Sequence, residues 1–239
     1  MDYTKDYLLN KQITVFQPKD GYRASTDAVL LSAALNARKN DTILDVGSGT
    51  GAISLCIAER FKDYNVKIIG LEIQKELVEL SNKSSIENGF DGFLTYICHD
   101  IKTPFKPRFN HIITNPPYSE GDMPSPNKNK AIAHNHQDFS LKEWITFCIK
   151  RLEPQGFFYI INRAEATTEI LSTISGKLGN IKIIPLYSKK GQDAKRVIIT
   201  AQLDSKAPAK ITPGLIIHDE NGKYTNDAEK ILRDGQKLS

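Results

Sequence analysis

The segment Asn115-Pro116-Pro117-Tyr118 interrupts the chain directly after the apolar residues 112–114. Proline has no backbone N–H, so two in succession stop a strand and leave a stiff loop. In that loop the side-chain carbonyl of Asn115 and the backbone carbonyl of Pro116 are two acceptors. They suit a planar amino group with two N–H donors, such as adenine N6, cytosine N4 or a carboxamide, and the Tyr118 ring can stack on a flat substrate. The four residues therefore predict a catalytic site that holds an exocyclic amine.

A glycine-rich stretch, LDVGSGTGA at 44–52, follows an apolar strand and precedes a helical pattern. Glycine lets the backbone approach a ligand closely, although the spacing also fits a dinucleotide-binding loop or a plain tight turn. Asp45 favours another ligand, because a carboxylate two residues before the first glycine is poorly placed beside a pyrophosphate. It suits a cation, and S-adenosylmethionine carries a sulfonium and an ammonium group but no phosphate. The expected contacts to this cofactor are Asp45, Gly47, Ser48, Gly49 and Gly51.

Two further acids are expected at strand ends. Glu72 ends the second predicted strand, where a carboxylate can accept hydrogen bonds from both ribose hydroxyls, a role that NAD enzymes share. Asp100 ends the third, where it can accept from the adenine amino group or serve only as a turn residue. Ile101 is expected to flank the adenine ring, and Ile73 to lie beside the cofactor. Because the carboxyl ends of parallel strands meet at one edge, these groups and the two-proline loop should face one crevice.

The elements that must position these residues alternate between strand and helix. Apolar, β-branched strands are predicted at 42–47, 66–72, 94–100, 111–114 and 156–162, with helices at 51–61, 74–88 and 140–152. A helix at 165–178 and strands at 181–188 and 196–203 follow. This order predicts an α/β fold with a mostly parallel sheet, covered on both faces, and a late antiparallel edge pair. We predict three parts: a leader at 1–40 with a helix at 26–37, a main domain at 41–203, and a strand–turn–helix extension at 204–239.

Together, the glycine loop, the acids and the Asn-Pro-Pro-Tyr segment resemble class I S-adenosylmethionine-dependent methyltransferases that act on amino groups. The stretches GYRASTDAVLLSAAL at 21–35 and GLIIHDENGKYTNDAEKILRDG at 214–235 narrow the resemblance to a bacterial family. That family methylates adenine N6 beside the anticodon of a valine tRNA. The resemblance implies a Rossmann-like, seven-stranded sheet, S-adenosylmethionine as cofactor and tRNA as partner. It further implies cofactor contacts at Asp45, Gly47, Gly49, Glu72, Asp100 and Asn115, base capture at 115–118, and Arg23 and Asp27 near the cofactor.

Basic side chains are expected to contact RNA phosphates around the crevice. Each could instead be an ordinary solvated loop charge, and their clustering supports RNA more than any single residue does. Tyr22 could stack on a base or merely pack against the leader helix. The basic residues concerned are Lys128, Lys130, Arg163, Lys189, Lys190, Lys195 and Arg196.

The bulk composition excludes several classes of protein. No apolar run approaches the roughly 20 residues that span a bilayer, and no signal peptide is evident. Three widely spaced cysteines, Cys56, Cys98 and Cys148, are expected to be buried and reduced, as in a cytoplasmic protein. The HNH sequence at 134–136 has no accompanying ligand cluster, so no metal is expected. The net charge of +4 is compatible with nucleic acid without requiring it.

Three alternatives to an RNA adenine methyltransferase remain open. A protein glutamine-amide methyltransferase needs the same two acceptors, but a short leader leaves little room for a protein-recognition domain. A DNA methyltransferase is disfavoured because no separate target-recognition domain is visible. An inactive scaffold that binds S-adenosylmethionine would not need the intact Asn115 and Tyr118.

Overall fold

A computed structural model describes residues 2–20, 23–117 and 139–238. Its strands are β1 Tyr3–Leu8, β2 Ile13–Pro18, β3 Thr42–Val46, β4 Lys67–Glu72, β5 Leu94–Cys98, β6 Phe109–Thr114, β7 Leu152–Arg163, β8 Leu178–Tyr187, β9 Ala194–Leu203, β10 Lys210–Ile211 and β11 Leu215–Ile216. Its helices are α1 Thr26–Ala34, α2 Ala52–Phe61, α3 Lys75–Glu87, α4 Leu141–Lys150, α5 Thr167–Ile174 and α6 Asn226–Leu232, with 3-10 turns at Lys62–Tyr64 and Ala164–Ala166.

The centre of the described chain is a nine-stranded sheet in the order β10-β8-β9-β7-β6-β3-β4-β5, with β11 also paired to β8. The strands from β5 across to β7 pair in parallel, and β9 lies antiparallel between β7 and β8. The predicted α/β class, with a mostly parallel sheet and an antiparallel region near one edge, is confirmed. Two short strands extend the seven that were expected in the main domain: β10, which was not predicted, and β11, which lies within the predicted strand–turn–helix extension.

Apolar residues cover both faces of this sheet, as expected for parallel strands under helices. Successive residues of a strand point to opposite faces, so Ile43 and Ile113 belong to one core cluster whereas Leu44 and Ile112 belong to the other. Helices α1, α2 and α6 contribute to the first cluster, and α4 and α5 contribute to the second. Residues after α6 return to the first: the Leu238 N–H donates to the carbonyl of Ala33 at 2.9 Å.

An N-terminal hairpin, β1–β2, was missed by the sequence analysis, which predicted only a helix in the leader. The turn between its strands has Leu9, Asn10 and Lys11 in the left-handed region, with φ of 46°, 51° and 68°. Hairpin turns are recognised from glycine-containing pairs such as Asn-Gly, and none is present here. The hairpin packs on α3, where the backbone N–H of Thr14 donates to Asn88 Oδ1 at 2.8 Å. The boundaries proposed at residues 40 and 203 stay a prediction.

One cysteine departs from expectation. Cys56 and Cys148 are buried and reduced, but Cys98 is exposed. The prediction was wrong there because β5 is an edge strand of the sheet, and its final residues have no neighbouring strand on one side. Within the three described ranges, no helix is long and apolar enough to cross a bilayer. In the same ranges no three potential metal ligands come together.

Candidate active site

The strand register brings the predicted site residues to one edge of the sheet. Val46 lies opposite Leu71 on β4 and opposite Thr114 on β6. The residues that follow these three, Gly47, Glu72 and Asn115, therefore leave neighbouring parallel strands side by side. This is the crevice at the carboxyl ends of strands where α/β proteins bind ligands.

The glycine loop is fixed by hydrogen bonds to β4. The backbone N–H groups of Gly47 and Ser48 both donate to the carbonyl of Leu71, at 2.8 and 2.9 Å. Gly47, Gly49 and Gly51 have φ of 72°, 55° and 81°, a left-handed conformation that favours glycine. The loop is therefore preorganised by the strand beside it, and α2 starts directly after it.

Glu72 shapes the same loop with both carboxylate oxygens. Oε2 accepts the backbone N–H of Gly49 and Oε1 accepts that of Gln74, each at 2.9 Å. The side chain is buried, with 7% of the residue exposed. Each carboxylate oxygen has a second lone pair, so Glu72 retains capacity for ligand hydroxyls. Its predicted ribose role stays a prediction.

Asp45 is fully buried beneath the loop. Its Oδ2 accepts the Ser54 hydroxyl at 2.5 Å, and its Oδ1 has no hydrogen-bond partner in the part of the chain that the structure describes. Burial raises the pKa of Asp45 to about 7, an effect that the negative charge of Glu72 reinforces and the Ser54 bond opposes. A cation at Oδ1 would favour the ionised carboxylate, so the electrostatics of this residue suit a positively charged ligand.

Four buried polar atoms in the glycine loop and at the neighbouring strand ends have no hydrogen-bond partner among the described residues. They are Asp45 Oδ1, Ser48 Oγ, Thr50 Oγ1 and Asn115 Oδ1. Buried polar groups are normally hydrogen-bonded, so a concentration of unpaired ones indicates a place for a polar ligand. Acceptors, hydroxyls and a carboxylate are a suitable set for the ammonium, ribose and amino groups of S-adenosylmethionine, so the residues present fit the expected cofactor.

The Asn115 segment follows β6 without further secondary structure. Asn115 is half-buried, Pro116 is buried and Pro117 is exposed. The preceding residue, Thr114, donates its hydroxyl to the carbonyl of Val46 at 2.8 Å, which fastens the start of the segment to the strand that carries the glycine loop. Tyr118 lies outside the described residues, so its stacking role is untested.

Asp100, which was predicted to end the third strand of the sheet, lies beyond the end of that strand. Strand β5 ends at Cys98, and Asp100 lies two residues later in a turn. Its Oδ1 accepts the Lys102 N–H at 2.9 Å and its backbone carbonyl accepts the Thr103 N–H at 2.9 Å, which is the geometry of the turn-residue alternative. Ile101 packs against the second core cluster and is partly buried.

Cys98 at the end of β5 and Ile73 after β4 lie close together. The Cys98 thiol donates to the carbonyl of Ile73 at 3.5 Å, joining the ends of β4 and β5. Ile73 is one of the exposed large apolar residues, with 37% exposure. An apolar side chain at that position is available for a ligand ring.

Two residues predicted near the cofactor form ion pairs in the structure. Arg23 forms an ion pair with Asp6 at 2.7 Å and also bonds the hydroxyl of Thr4, so its guanidinium is held by the N-terminal hairpin. Asp27 pairs with Arg196 at 3.2 Å. Their predicted cofactor contacts stay predictions.

Basic residues predicted for RNA lie at the same edge of the sheet. Arg163 ends β7 and is opposite Arg196 on β9. Lys190 is exposed in the loop that joins β8 to β9. The remaining predicted positions, Tyr22, Tyr118, Lys128, Lys130 and the HNH sequence, lie outside the described residues.

Two aromatic rings support the glycine loop and were not predicted as site residues. The Tyr96 hydroxyl donates to the carbonyl of Gly51 at 3.1 Å, and a Cβ on Gly51 or Gly70 would overlap the Tyr96 ring. A Cβ on Gly47 would lie 2.8 Å from Cζ2 of Trp144, which lies in α4. A glycine inside an apolar strand, such as Gly70, often marks a close approach and was the available signal.

Comparison with known proteins agrees with this geometry. Residues 11–186 match the model of the methyltransferase small domain family. A protein from a Flavobacteriaceae bacterium (strain 3519-10), named tRNA1(Val) (adenine(37)-N6)-methyltransferase, is 31% identical over 79% of this chain and 80% of its own. Proteins of the same name from Dyadobacter fermentans and Haemophilus influenzae (strain PittGG) are 29% and 28% identical, over 89% and 94% of this chain and 89% and 95% of theirs.

Solved structures show the same fold. A predicted O-methyltransferase from Agrobacterium tumefaciens superposes with a TM-score of 0.73 at 22% identity, covering 89% of this chain and 98% of its own. A 16S rRNA N2 G1207 methyltransferase from T. thermophilus has a TM-score of 0.59 at 17% identity, covering 84% of this chain and 50% of its own. The chain therefore belongs to the methyltransferase small domain family and, within it, to the family of the tRNA1(Val) (adenine(37)-N6)-methyltransferases.

Proposed function

We propose that this protein transfers a methyl group from S-adenosylmethionine to N6 of an adenine in tRNA. The observation that carries the proposal is the buried, unpaired side-chain carbonyl of Asn115, at the same edge of the sheet as the glycine loop. The name of its relatives supports position 37 of a valine tRNA as the target.

On the cofactor side, the protein contributes acceptors and a rigid loop. S-adenosylmethionine supplies an electrophilic methyl group on a sulfonium. Asp45 Oδ1 would accept from the ammonium group, and Glu72 from the ribose hydroxyls. The unpaired hydroxyls of Ser48 and Thr50 offer further hydrogen bonds. Asp100 Oδ2 would accept a hydrogen bond from the adenine amino group, since Oδ1 already accepts the Lys102 N–H in the turn.

On the acceptor side, two carbonyls hold the amino group that is methylated. Asn115 Oδ1 and the Pro116 carbonyl would each accept one N–H of the exocyclic amine. Because that nitrogen shares its lone pair with the ring, fixing both hydrogens on off-plane acceptors turns the lone pair toward the methyl group. The nitrogen loses a proton only after the new bond has formed, so no strong base is required beforehand. Much of the acceleration would then come from positioning.

On the RNA side, we propose that the basic residues at the ends of β7, β8 and β9 contact phosphates. Arg163, Lys190 and Arg196 lie at the edge of the sheet that carries Asn115, so a bound nucleotide and its flanking backbone can be reached together. We also propose that the protein works in the cytoplasm, where it would meet tRNA.

The direct test is methylation of total bacterial tRNA with a labelled methyl donor, followed by nucleoside analysis. We expect label in N6-methyladenosine. Label found only in protein would refute the RNA substrate and favour the glutamine-amide alternative. Asn115→Ala should lower the rate by about 10²-fold or more, because one preorganised acceptor is removed.

A matched control for this variant is Asn110→Ala, at the opposite end of the same strand. Asn110 Oδ1 accepts both the backbone N–H and the hydroxyl of Thr42, each at 2.9 Å, so its role in the structure is to join β6 to β3. We expect Asn110→Ala to lower the free energy of unfolding and to leave the methylation rate of folded protein unchanged. Equal rates for the two variants would remove Asn115 from the mechanism.

A further inference from the structure

We propose that Trp144 is a positioning residue that holds the glycine loop and the Asn115 segment at a fixed separation. The inference rests on the proposed function for its catalytic consequence, and it adds to that function the device that sets the distance between methyl donor and acceptor. Three features of the structure support this role: a buried hydrogen-bonded chain, the position of the indole beside Gly47, and the capped helix that carries Trp144.

The hydrogen-bonded chain joins the two halves of the site. The indole Nε1–H of Trp144 donates to Thr114 Oγ1 at 2.8 Å, and the Thr114 hydroxyl donates to the carbonyl of Val46 at 2.8 Å. Thr114 directly precedes Asn115, and Val46 directly precedes Gly47. All three members of the chain are buried, with exposures of 7%, 0% and 0%. Hydrogen bonds in such surroundings are strong, and a lost partner is costly.

The benzo ring of the same indole lies close to Gly47. An ideal Cβ on Gly47 would be 2.8 Å from Cζ2 and 3.0 Å from Cη2 of Trp144. The benzo edge of the indole therefore occupies the space that any larger side chain at Gly47 would need. One side chain thus lies beside the first residue of the glycine loop and donates a hydrogen bond to the residue before Asn115.

Helix α4, which has a capped N-terminus, determines the position of Trp144. In α4 the Ser140 hydroxyl accepts the Glu143 N–H at 3.2 Å, while Glu143 Oε2 accepts the Ser140 N–H at 2.8 Å, a reciprocal capping box. Trp144 follows in the first turns of this helix. Phe139 packs edge-on against its ring, with centroids 6.3 Å apart and planes at 68°.

This arrangement should affect the rate of methyl transfer and leave the affinity for each substrate unchanged. The glycine loop would bind the donor and Asn115 the acceptor, so the separation between them affects the transfer step more than the binding of either partner. A misplacement of about 1 Å can cost about 10²-fold in rate. A buried indole N–H needs an acceptor in any case. What ties this ring to the acceptor loop is that its acceptor, Thr114, directly precedes Asn115.

The first experiment compares variants by single-turnover methylation and by cofactor affinity. Trp144→Phe and Thr114→Val should each lower the transfer rate by about 10- to 100-fold and leave the dissociation constant of S-adenosylmethionine unchanged. Thr114→Ser keeps the hydroxyl that Thr114→Val removes, so its transfer rate should equal that of the wild type. Phe109→Leu is the matched control, because Phe109 is buried in the same core cluster at the opposite end of β6.

The control should lose stability without losing rate. If Trp144→Phe and Thr114→Val behave as Phe109→Leu does, the positioning role is refuted. Should Trp144→Phe fail to fold, the contrast between Thr114→Val and Thr114→Ser still separates a positioning role from plain core packing.

A second experiment uses the cofactor alone, without RNA. Trp144 is the only tryptophan in the chain, so all tryptophan fluorescence comes from this residue. Titration of the wild type with S-adenosylmethionine should change the tryptophan emission, since the indole lies against the glycine loop. Unchanged emission with proven binding, by calorimetry, would overturn the coupling of Trp144 to the loop. Changed emission in a protein that methylates no tRNA would refute the proposed function while supporting that coupling.

Discussion

Asp45 should make the stability of this protein fall as the pH rises toward neutrality. The carboxyl of Asp45 ionises near 3.8 in an unfolded chain and near 7 in the folded protein, where burial disfavours its charged form. Between these values the folded state holds one proton more than the unfolded state, so the free energy of unfolding decreases with pH and levels off above 7. At 1.36 kcal/mol per pKa unit, the raised pKa lowers the free energy of unfolding by about 4 kcal/mol at pH 8 and by about 2 kcal/mol at pH 5, relative to a pH below both pKa values.

Asp45→Asn removes this dependence, because the amide has no charge at either pH. Its unpaired N–H adds an offset that does not change with pH. The difference in free energy of unfolding, variant minus wild type, should therefore rise by about 2–3 kcal/mol from pH 5 to pH 8, measured by urea unfolding at several pH values. The corresponding difference in Tm is about 5–10 °C for a chain of this size.

A second variant checks the cause. The Ser54 hydroxyl lowers the pKa of Asp45, so Ser54→Ala should raise that pKa further and lose more stability at pH 8 than at pH 5. A difference between Asp45→Asn and wild type that stays flat from pH 5 to pH 8 would refute the reasoning, because it would mean that the buried carboxyl carries its charge at no special cost.

Two further predictions concern the same loop. The affinity of the wild type for S-adenosylmethionine should fall about 10-fold from pH 8 to pH 6, because only ionised Asp45 attracts a cation. In Asp45→Asn the affinity should be nearly constant over this range. Calorimetry at several pH values tests this, and a flat wild-type profile contradicts it. Gly51→Ala should lower the free energy of unfolding by more than Gly89→Ala, since both glycines have positive φ but only Gly51 would overlap the Tyr96 ring. Backbone strain alone accounts for about 1–2 kcal/mol, and urea unfolding that gave equal losses would dismiss the steric contribution of Tyr96.

The central sheet could be predicted because its strands are buried on both faces. Continuous β-branched runs such as those of β3 and β4, separated by helical periods, leave few other arrangements for a chain. The carboxyl-edge crevice then follows from connectivity alone, so Asp45, Glu72 and Asn115 were expected together from the sequence. Their placement depends on the order of elements and hardly at all on side-chain detail.

Contacts between distant residues could not be predicted in the same way. Nothing near Trp144 in the chain indicates that its ring meets Gly47, because that contact depends on how α4 crosses the sheet. The N-terminal hairpin was hidden by a turn built from Leu9, Asn10 and Lys11, whose backbone strain is compensated by packing. Asp100 shows a third limit, since the end of an edge strand is set by its single neighbour and not by its own sequence.

The position of α6 and the residues after it has a consequence for biosynthesis. These residues cover α1 and α2 with Ala228, Ile231 and Leu232, and the Arg60 guanidinium donates to the carbonyl of Gln236 at 2.8 Å. A ribosome makes them after every element that they cover, so the apolar flank formed by α1 and α2 stays uncovered in the nascent chain until these last residues have left the ribosome.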